Sequence, residues 1–312
     1  MFCILALIVF SILGVFSATH RALALEALDC VFRRVTFRPC NTGFKEKMKN
    51  KILAKILNRS DLAARLFNKH FELLSWVFFI LMIASTFWIV KGGYNFYLYG
   101  SCNGLNQSGF CAFDPSGENN KVTELNAVGI CSPEAQNEKT ITLSGVDLSG
   151  FPAISTGSKD TIVFIGCYEC DYSRKAYPEI RELAKKEKTN LIFAHYPAIT
   201  NTNYLSEVGY CAYNQSQEKF WALNDYLFTA DKTKLSDQAF INQALTTFGF
   251  NADEINQCVN SAEAKAANEK QLKELQKTDL YGTPTIFING QVFVGPKPYR
   301  VYKSAIKKFI FF

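Results

Sequence analysis

Two cysteines separated by two residues, Cys167 and Cys170, are the part of this sequence best suited to chemistry. They follow an apolar run, Thr161–Gly166, that predicts a buried strand, and they precede residues 171–188, which predict a helix interrupted at Pro178. Cys167 would then lie at a helix N-terminus, where the helix dipole and free amides favour a thiolate. Cys170 would lie one turn further in, more buried and within reach of a disulfide. The spacing therefore predicts reversible thiol–disulfide chemistry.

Two other uses of this cysteine pair compete with that interpretation, a zinc half-site and a static disulfide. A zinc site needs about four ligands, usually a second closely spaced cysteine pair or two histidines. The sequence has no second pair at this spacing, and of its three histidines only His195 falls in this part of the chain. We therefore expect no metal and no organic cofactor, because the dithiol is itself a redox centre.

The flanking sequence predicts the elements that would position the cysteines. Residues 190–196 predict a second strand, and residues 204–277 predict helix throughout. A strand over 284–289 and a partner over 291–294, joined at Gly290, predict a hairpin. Residues 299–309 predict a closing helix. The expected order is βαβ, a long helical stretch, then ββα, with no internal repeat.

A second motif, Gly282-Thr283-Pro284-Thr285, places a proline directly before the third predicted strand. Together with the cysteine pair and the helical insertion, which runs from about residue 200 to 280 and contains Cys211-Ala-Tyr-Asn-Gln-Ser-Gln-Glu-Lys-Phe-Trp, this motif makes residues 141–312 resemble the DsbA-like branch of the thioredoxin superfamily. The resemblance implies an α/β, thioredoxin-like fold with an all-helical insertion, acting as a protein thiol–disulfide oxidoreductase.

The resemblance also implies roles for Thr283 and Pro284. The Thr283–Pro284 bond would be cis, with the carbonyl side of Pro284 facing the Cys167 sulfur and no amide donor there. The Thr283 backbone would bind an extended substrate segment as an added strand. An ordinary trans proline that starts a strand is the alternative.

Further cysteines suit disulfide chemistry outside the cytoplasm. The resemblance implies a structural disulfide between Cys211 and Cys258, with two buried free thiols as the alternative. Cys102, Cys111 and Cys131 belong to a segment rich in Gly, Asn and Ser, residues 92–140, which we interpret as a tether. A 102–111 bond would leave Cys131 over, while 102–131 and 111–131 remain open.

The residues between the active cysteines bear on the redox poise. Tyr168 and Glu169 stand there, with no histidine or other basic residue. A carboxylate close to Cys167 would disfavour the thiolate and oppose the helix dipole. A less stable thiolate makes a weaker oxidant, so the resemblance leaves the direction of electron flow open.

Two apolar runs without charged residues precede the tether, at residues 1–19 and 73–90. Each has about the length of a transmembrane helix, so we predict spans over 1–19 and 72–91. Tyr94, Phe96, Tyr97 and Tyr99 follow the second run, as in an interfacial belt. The first run could instead be a cleaved signal peptide, although no positive charge precedes it.

The charge distribution predicts the orientation in the membrane. Residues 21–70 hold twelve Lys and Arg against four Asp and Glu, whereas residues 92–312 are close to neutral. Short basic loops stay in the cytoplasm, which places residues 20–71 inside and the large domain outside. Cys30 and Cys40 would then stay reduced. Because topology and anionic lipids account for the basic charge, we expect the bilayer and not a nucleic acid as partner.

The sequence thus predicts a cell-membrane enzyme with its catalytic domain on the extracytoplasmic side. Its expected partners are proteins with thiols or disulfides and a redox partner that the sequence does not identify. A reductase or isomerase of misformed disulfides is one alternative. A tethered chaperone that captures unfolded chains without turnover is another, and it would not need both cysteines and the Gly-Thr-Pro turn.

Overall fold

The computed structural model describes residues 2–36, 38, 43–58, 60–125, 140–198 and 203–306. The chain divides into two compact units, Met1–Lys91 and Gly92–Phe312. Cys40 and Cys131 lie outside the described residues. The expectations that Cys40 stays reduced and that Cys131 is left over therefore remain predictions.

The first unit begins with two helices, α1 (Phe2–Gly14) and α2 (Ala18–Val35), followed by α3 (Phe44–Leu57). The Arg21 side chain donates from Nε to the Gly14 carbonyl at 2.6 Å, which satisfies a carbonyl at the end of α1. The buried cluster between the three helices contains small residues, which let helices approach closely. Its members are Cys3, Ala6, Ala27, Cys30, Phe44 and Met48.

This arrangement differs from two predictions. The expected span over residues 1–19 is not one helix, because the chain turns at residues 15–17 after the 13 residues of α1. A helix of that length is roughly 20 Å long, against about 30 Å for the hydrocarbon core. Cys30, which we expected to be reduced, forms a disulfide with Cys3, since the turn brings α2 back onto α1.

Helix α4 (Asp61–Tyr99) is the one helix of the described residues long and apolar enough to cross a bilayer, by length and composition. It is bent at His70, which leaves the helical φ/ψ region and separates the basic start from the apolar stretch. Ser85 and Thr86 donate their hydroxyls to the carbonyls four residues earlier, so these polar groups are satisfied within the helix. Many large apolar side chains are exposed, among them Leu73, Trp76, Phe78, Phe87 and Trp88.

The second unit is built on a five-stranded sheet with the order β2-β4-β3-β6-β7. Its strands are β2 (Ala153–Ile154), β3 (Thr161–Gly166), β4 (Asn190–His195), β6 (Thr285–Ile288) and β7 (Gln291–Val294). β3 and β4 are parallel and are joined by helix α5 (Asp171–Glu187), whereas β2, β6 and β7 pair antiparallel with their neighbours. The predicted βαβ and ββ units are therefore present, and β2 is an additional short edge strand.

Period-two alternation along the central strand divides the core between the two sheet faces. Ile162 and Phe164 of β3 lie in the larger cluster, with α5 and the helical insertion. Val163 and Ile165 point the other way, into a smaller cluster with Phe287. Both faces of β3 are thus covered, which explains why its sequence is a continuous apolar run and not an alternating one.

The insertion between β4 and β6 is helical, as predicted. Four of its helices begin at a side chain that accepts a backbone N–H, namely Ser216, Asp237, Asn251 and Ser261. The chain ends in α11, Tyr299–Ile306, within the described residues. The helices are α6 (Asn203–Gln215), α7 (Gln217–Leu227), α8 (Gln238–Thr247), α9 (Ala252–Val259) and α10 (Ala262–Gln276).

Two local expectations for this unit need correction. Helix α5 continues through Pro178, where we predicted an interruption. The proline removes one backbone hydrogen bond, but Tyr177 and Ile180 on either side are buried in the core and hold the helix in place. The tether also contains a short strand, β1 (Thr123–Glu124), which pairs antiparallel with β5 (Gly282–Thr283).

Candidate active site

The cysteine pair lies at the carboxyl end of the central strand. β3 ends at Gly166, and Cys167 and Cys170 are joined in a disulfide with their Cα atoms 5.2 Å apart. The Cys170 amide donates to the Cys167 carbonyl at 3.3 Å, and the Cys167 amide donates to Ser173 Oγ at 3.2 Å. These two hydrogen bonds hold the turn between the cysteines against the start of α5.

The position of the cysteines relative to the helix differs from our prediction. Cys170 is the N-cap residue, so α5 begins at Asp171 and Cys167 lies before the first helical turn. Cys167 is 0% exposed and Cys170 is 1% exposed, whereas we expected an accessible Cys167 and a buried Cys170. The amides of the first turn have no partners within the helix, so the positive end of the α5 dipole lies next to Cys170.

Strand register brings the Gly-Thr-Pro turn to the same end of the sheet. Ile165 of β3 lies opposite Thr285 of β6 in an antiparallel pair, so the residues that follow β3 face those that precede β6. The Thr283–Pro284 peptide bond is cis, as the resemblance implies. The Pro284 carbonyl accepts the Gly295 amide at 2.9 Å, which continues the pairing of β6 with β7 by one residue.

Tyr168 is directed into the protein. Its hydroxyl donates to Asn224 Oδ1 at 2.5 Å, and Asn224 Nδ2 in turn donates to the Tyr177 hydroxyl at 2.7 Å. Its ring stacks on that of His195 with the centroids 4.6 Å apart. Burial raises the pKa of the Tyr168 hydroxyl, so the group stays protonated. Tyr168 therefore ties the cysteine turn to both α7 and β4.

Glu169 and its surroundings set the charge beside the cysteines. Burial raises the pKa of the Glu169 carboxyl, and the nearby Lys232 opposes that shift. Lys232 also binds Asp171, the first residue of α5, at 2.6 Å. Arg174, one turn into the helix, donates to the Tyr168 carbonyl at 2.9 Å. The cationic groups beside the turn between the cysteines, Arg174 and Lys232, thus lie outside the cysteine motif. The sequence argument, which considered only the two residues between the cysteines, did not identify them.

His195 is a further residue of the site that the sequence did not single out beyond the zinc argument. It ends β4, its Nδ1 lies 2.7 Å from Ser206 Oγ, and its Nε2 is buried without a protein hydrogen-bond partner. His195 also lines a small cavity together with Tyr168 and Ser206. Burial lowers the pKa of the imidazole to about 3, so the ring is neutral at physiological pH.

Among the described residues of the second unit, two other disulfides lie away from this site. Cys211 of α6 and Cys258 of α9 are joined, which ties two helices of the insertion together. Cys102 and Cys111 close a short loop in the tether.

Comparison with known proteins identifies the fold of this region. Residues 155–308 match the family model described as Thioredoxin. This segment has a thioredoxin-like fold. No curated protein matches the chain in sequence.

Several solved structures resemble the thioredoxin-like segment. A thioredoxin-like oxidoreductase from Silicibacter pomeroyi DSS-3 shares 16% identity over 51% of this chain and 92% of its own, with a TM-score of 0.46. The thiol-disulfide exchange protein alpha-DsbA2 from Wolbachia pipientis shares 17% identity over 51% of this chain and 86% of its own, with a TM-score of 0.46. Oxidised BdbD from Bacillus subtilis shares 17% identity over 52% of this chain and 92% of its own, with a TM-score of 0.45.

Proposed function

We propose that this protein is a membrane-anchored thiol–disulfide oxidoreductase that exchanges disulfides with protein substrates on the extracytoplasmic side. The observation that carries the proposal is the Cys167–Cys170 disulfide at the end of β3, beside the cis Thr283–Pro284 turn of a thioredoxin-like fold. A static structural disulfide would not need its position at a helix N-terminus.

In the oxidising direction a substrate thiolate attacks the Cys167 sulfur. The Cys167–Cys170 bond breaks, Cys170 leaves as a thiolate, and a mixed disulfide joins the substrate to Cys167. A second substrate thiolate then attacks the substrate sulfur of that bond and releases Cys167. The substrate loses two electrons and two protons, and the enzyme ends as a dithiol. In the reducing direction the same steps run backwards, beginning with attack by the Cys167 thiolate on a substrate disulfide.

The charge next to Cys167 supports a prediction about the redox poise. Replacing Glu169 with histidine removes a carboxylate and adds a basic group, so the Cys167 thiolate gains stability and the couple becomes more oxidising. Each unit by which the Cys167 pKa falls corresponds to about 1.4 kcal/mol, or about 30 mV for a two-electron couple. Equilibration with glutathione buffers, followed by quantification of the 167–170 dithiol, measures the potential of both proteins.

The same substitution at Glu218, an exposed carboxylate in the first turn of α7, serves as the matched control and should leave the potential unchanged. Because Glu169 is partly exposed, its effect should shrink as the salt concentration rises. A Glu169→His protein with the wild-type potential at low salt would show that other groups, such as Arg174, determine the poise.

Membrane anchoring rests on α4 and on the basic residues that precede it. The helix is long and apolar enough to span a bilayer, and the excess of Lys and Arg over residues 21–70 favours a cytoplasmic location for its N-terminal side. With α4 as the one span among the described residues, the N-terminal unit lies inside, whereas our two-span prediction placed the N-terminus outside. The large unit is extracytoplasmic under both arrangements. A cytoplasmic location of the N-terminal unit predicts that the reducing conditions there open the Cys3–Cys30 disulfide seen in the structure.

Two single-cysteine additions test this orientation. A membrane-impermeant maleimide applied to intact cells should label Ser116→Cys, whose position is exposed in the tether, and should label Ala54→Cys of α3 only after permeabilisation. Because the parent protein has its own cysteines, the quantity to compare is the labelling of each variant in excess of the labelling of the parent protein. Labelling of Ala54→Cys but not Ser116→Cys in intact cells would reverse the orientation.

A further inference from the structure

The strand edge beside the cis proline, where we expect a substrate segment to bind, is paired with the protein's own tether. Strand β1 pairs antiparallel with β5, with Thr123 opposite Thr283 and Glu124 opposite Gly282. The pairing continues one residue further, because the Leu125 amide donates to the Tyr281 carbonyl at 3.3 Å. Thr283 is the residue whose backbone we expected to bind an extended substrate.

The residue that follows β1 contributes to the burial of the disulfide. The Leu125 side chain packs against the buried cluster formed by Cys167, Cys170 and Ala198. Since Cys167 is 0% exposed in this arrangement, its sulfur cannot be reached in line by a thiol of another protein. Exchange with a protein substrate therefore requires the packing around this sulfur to open, and Leu125 is part of that packing.

The fit between the tether and the turn is close enough to require glycine. A Cβ atom at Gly282 would lie 2.4 Å from Val122 Cγ2, and one at Gly295 would lie 2.7 Å from the Lys121 carbonyl oxygen. The close contact between the tether and the turn that contains Pro284 therefore depends on the absence of side chains at Gly282 and Gly295.

The tether upstream of β1 is fastened to the domain by polar contacts. The buried Lys297 Nζ donates to the Asn119 carbonyl and to Asn120 Oδ1, each at 2.5 Å. Asn106 makes two hydrogen bonds to the backbone of β7: its Nδ2 donates to the Val292 carbonyl, and its Oδ1 accepts from the Val294 amide, each at 2.8 Å. β1 itself has only two residues, so it can separate from β5 while these upstream contacts hold the tether close.

We propose that residues 122–125 are an autoinhibitory segment that occupies the substrate-strand site and is displaced by the substrate. This inference rests on the proposed oxidoreductase function. It also defines the chemistry of the substrate: an extended segment that pairs with Thr283 and presents an aliphatic side chain at the position of Leu125. A substrate competes with the tether for one site, and the tether keeps small thiols and unsuited chains from the disulfide.

A pair of substitutions at Thr123 tests the proposal in the full-length protein. Proline lacks the amide hydrogen with which residue 123 pairs to Thr283, whereas alanine retains it. Thr123→Pro should raise at least fivefold the rate at which glutathione reduces the 167–170 disulfide, and likewise the rate of exchange with a cysteine-containing peptide. Thr123→Ala should react at the wild-type rates.

The outcomes separate this proposal from the function on which it rests. A folded Thr123→Pro protein with wild-type rates would overturn the autoinhibition, and so would an equal acceleration in Thr123→Ala. Absence of exchange in all three proteins would instead count against the oxidoreductase function. Should Thr123→Pro fail to fold, Leu125→Cys combined with Cys170→Ser decides the matter: a 125–167 disulfide found by mass spectrometry supports the proposal, and its absence under mild oxidation overturns it.

Discussion

Replacing Cys167 with serine should abolish disulfide exchange, whereas replacing Cys170 with serine should yield a protein that accumulates mixed disulfides with its substrates. The expected difference follows from the order of bonds in the proposed reaction, in which Cys167 forms the intermolecular bond and Cys170 releases it. The two sulfurs lie on either side of the turn that precedes α5, and the cis-proline turn faces the residues after β3. Non-reducing electrophoresis of extracts should show high-mass adducts for Cys170→Ser that disappear on reduction.

A matched control removes two cysteines from elsewhere in the domain. The double variant Cys211→Ser/Cys258→Ser should lose stability, by about 4 kcal/mol in the chain-entropy description of a loop of this size, but should retain exchange at temperatures where it is folded. Adducts from Cys167→Ser and none from Cys170→Ser would reverse the assigned roles. Loss of exchange in the folded control variant would show that the second disulfide takes part in the reaction.

Acidification from pH 6.5 towards pH 3 should destabilise the folded domain through His195. Burial lowers the pKa of this imidazole to about 3, while the unfolded chain takes up the proton near pH 6.5. Between those values the unfolded state binds one more proton than the folded state, so the free energy of unfolding falls as the pH falls. Above about pH 6.5 the titration of His195 leaves the free energy of unfolding unchanged. Below that pH it lowers the free energy of unfolding by about 1.4 kcal/mol for each pH unit.

Urea unfolding of the detergent-solubilised protein at several pH values measures this slope. Trp221 fluorescence reports on the domain when Trp76 and Trp88 of the apolar helix are replaced by phenylalanine. His195→Gln should flatten the slope, and Ser206→Ala, which leaves the buried imidazole in place, should retain it. Equal slopes in the wild type and His195→Gln would mean that His195 does not titrate differently in the two states.

The elements around the cysteines could be predicted from the sequence because each is specified by its own residues. β3 and β7 have the expected bounds, β4 ends within one residue of its prediction, and α5 ends one residue early. A continuous apolar run predicts a strand with two covered faces, and the Gly-Thr-Pro motif predicts the turn before β6. The first predicted span does not form one continuous helix, because hydropathy does not reveal the turn at residues 15–17.

The amino-acid sequence by itself determined the cysteine pair, the proline turn, the order of strands and helices, and the basic segment before the apolar helix. Only the tertiary structure decided what surrounds the turn between the cysteines: the Arg174 side chain, the neutral His195 and the tether strand paired with Thr283. The physical reason is that periodicity and spacing describe interactions between near neighbours. The burial of Cys167 results from packing by residues distant in the chain, such as Leu125. No local sequence pattern around Cys167 or Leu125 specifies that contact.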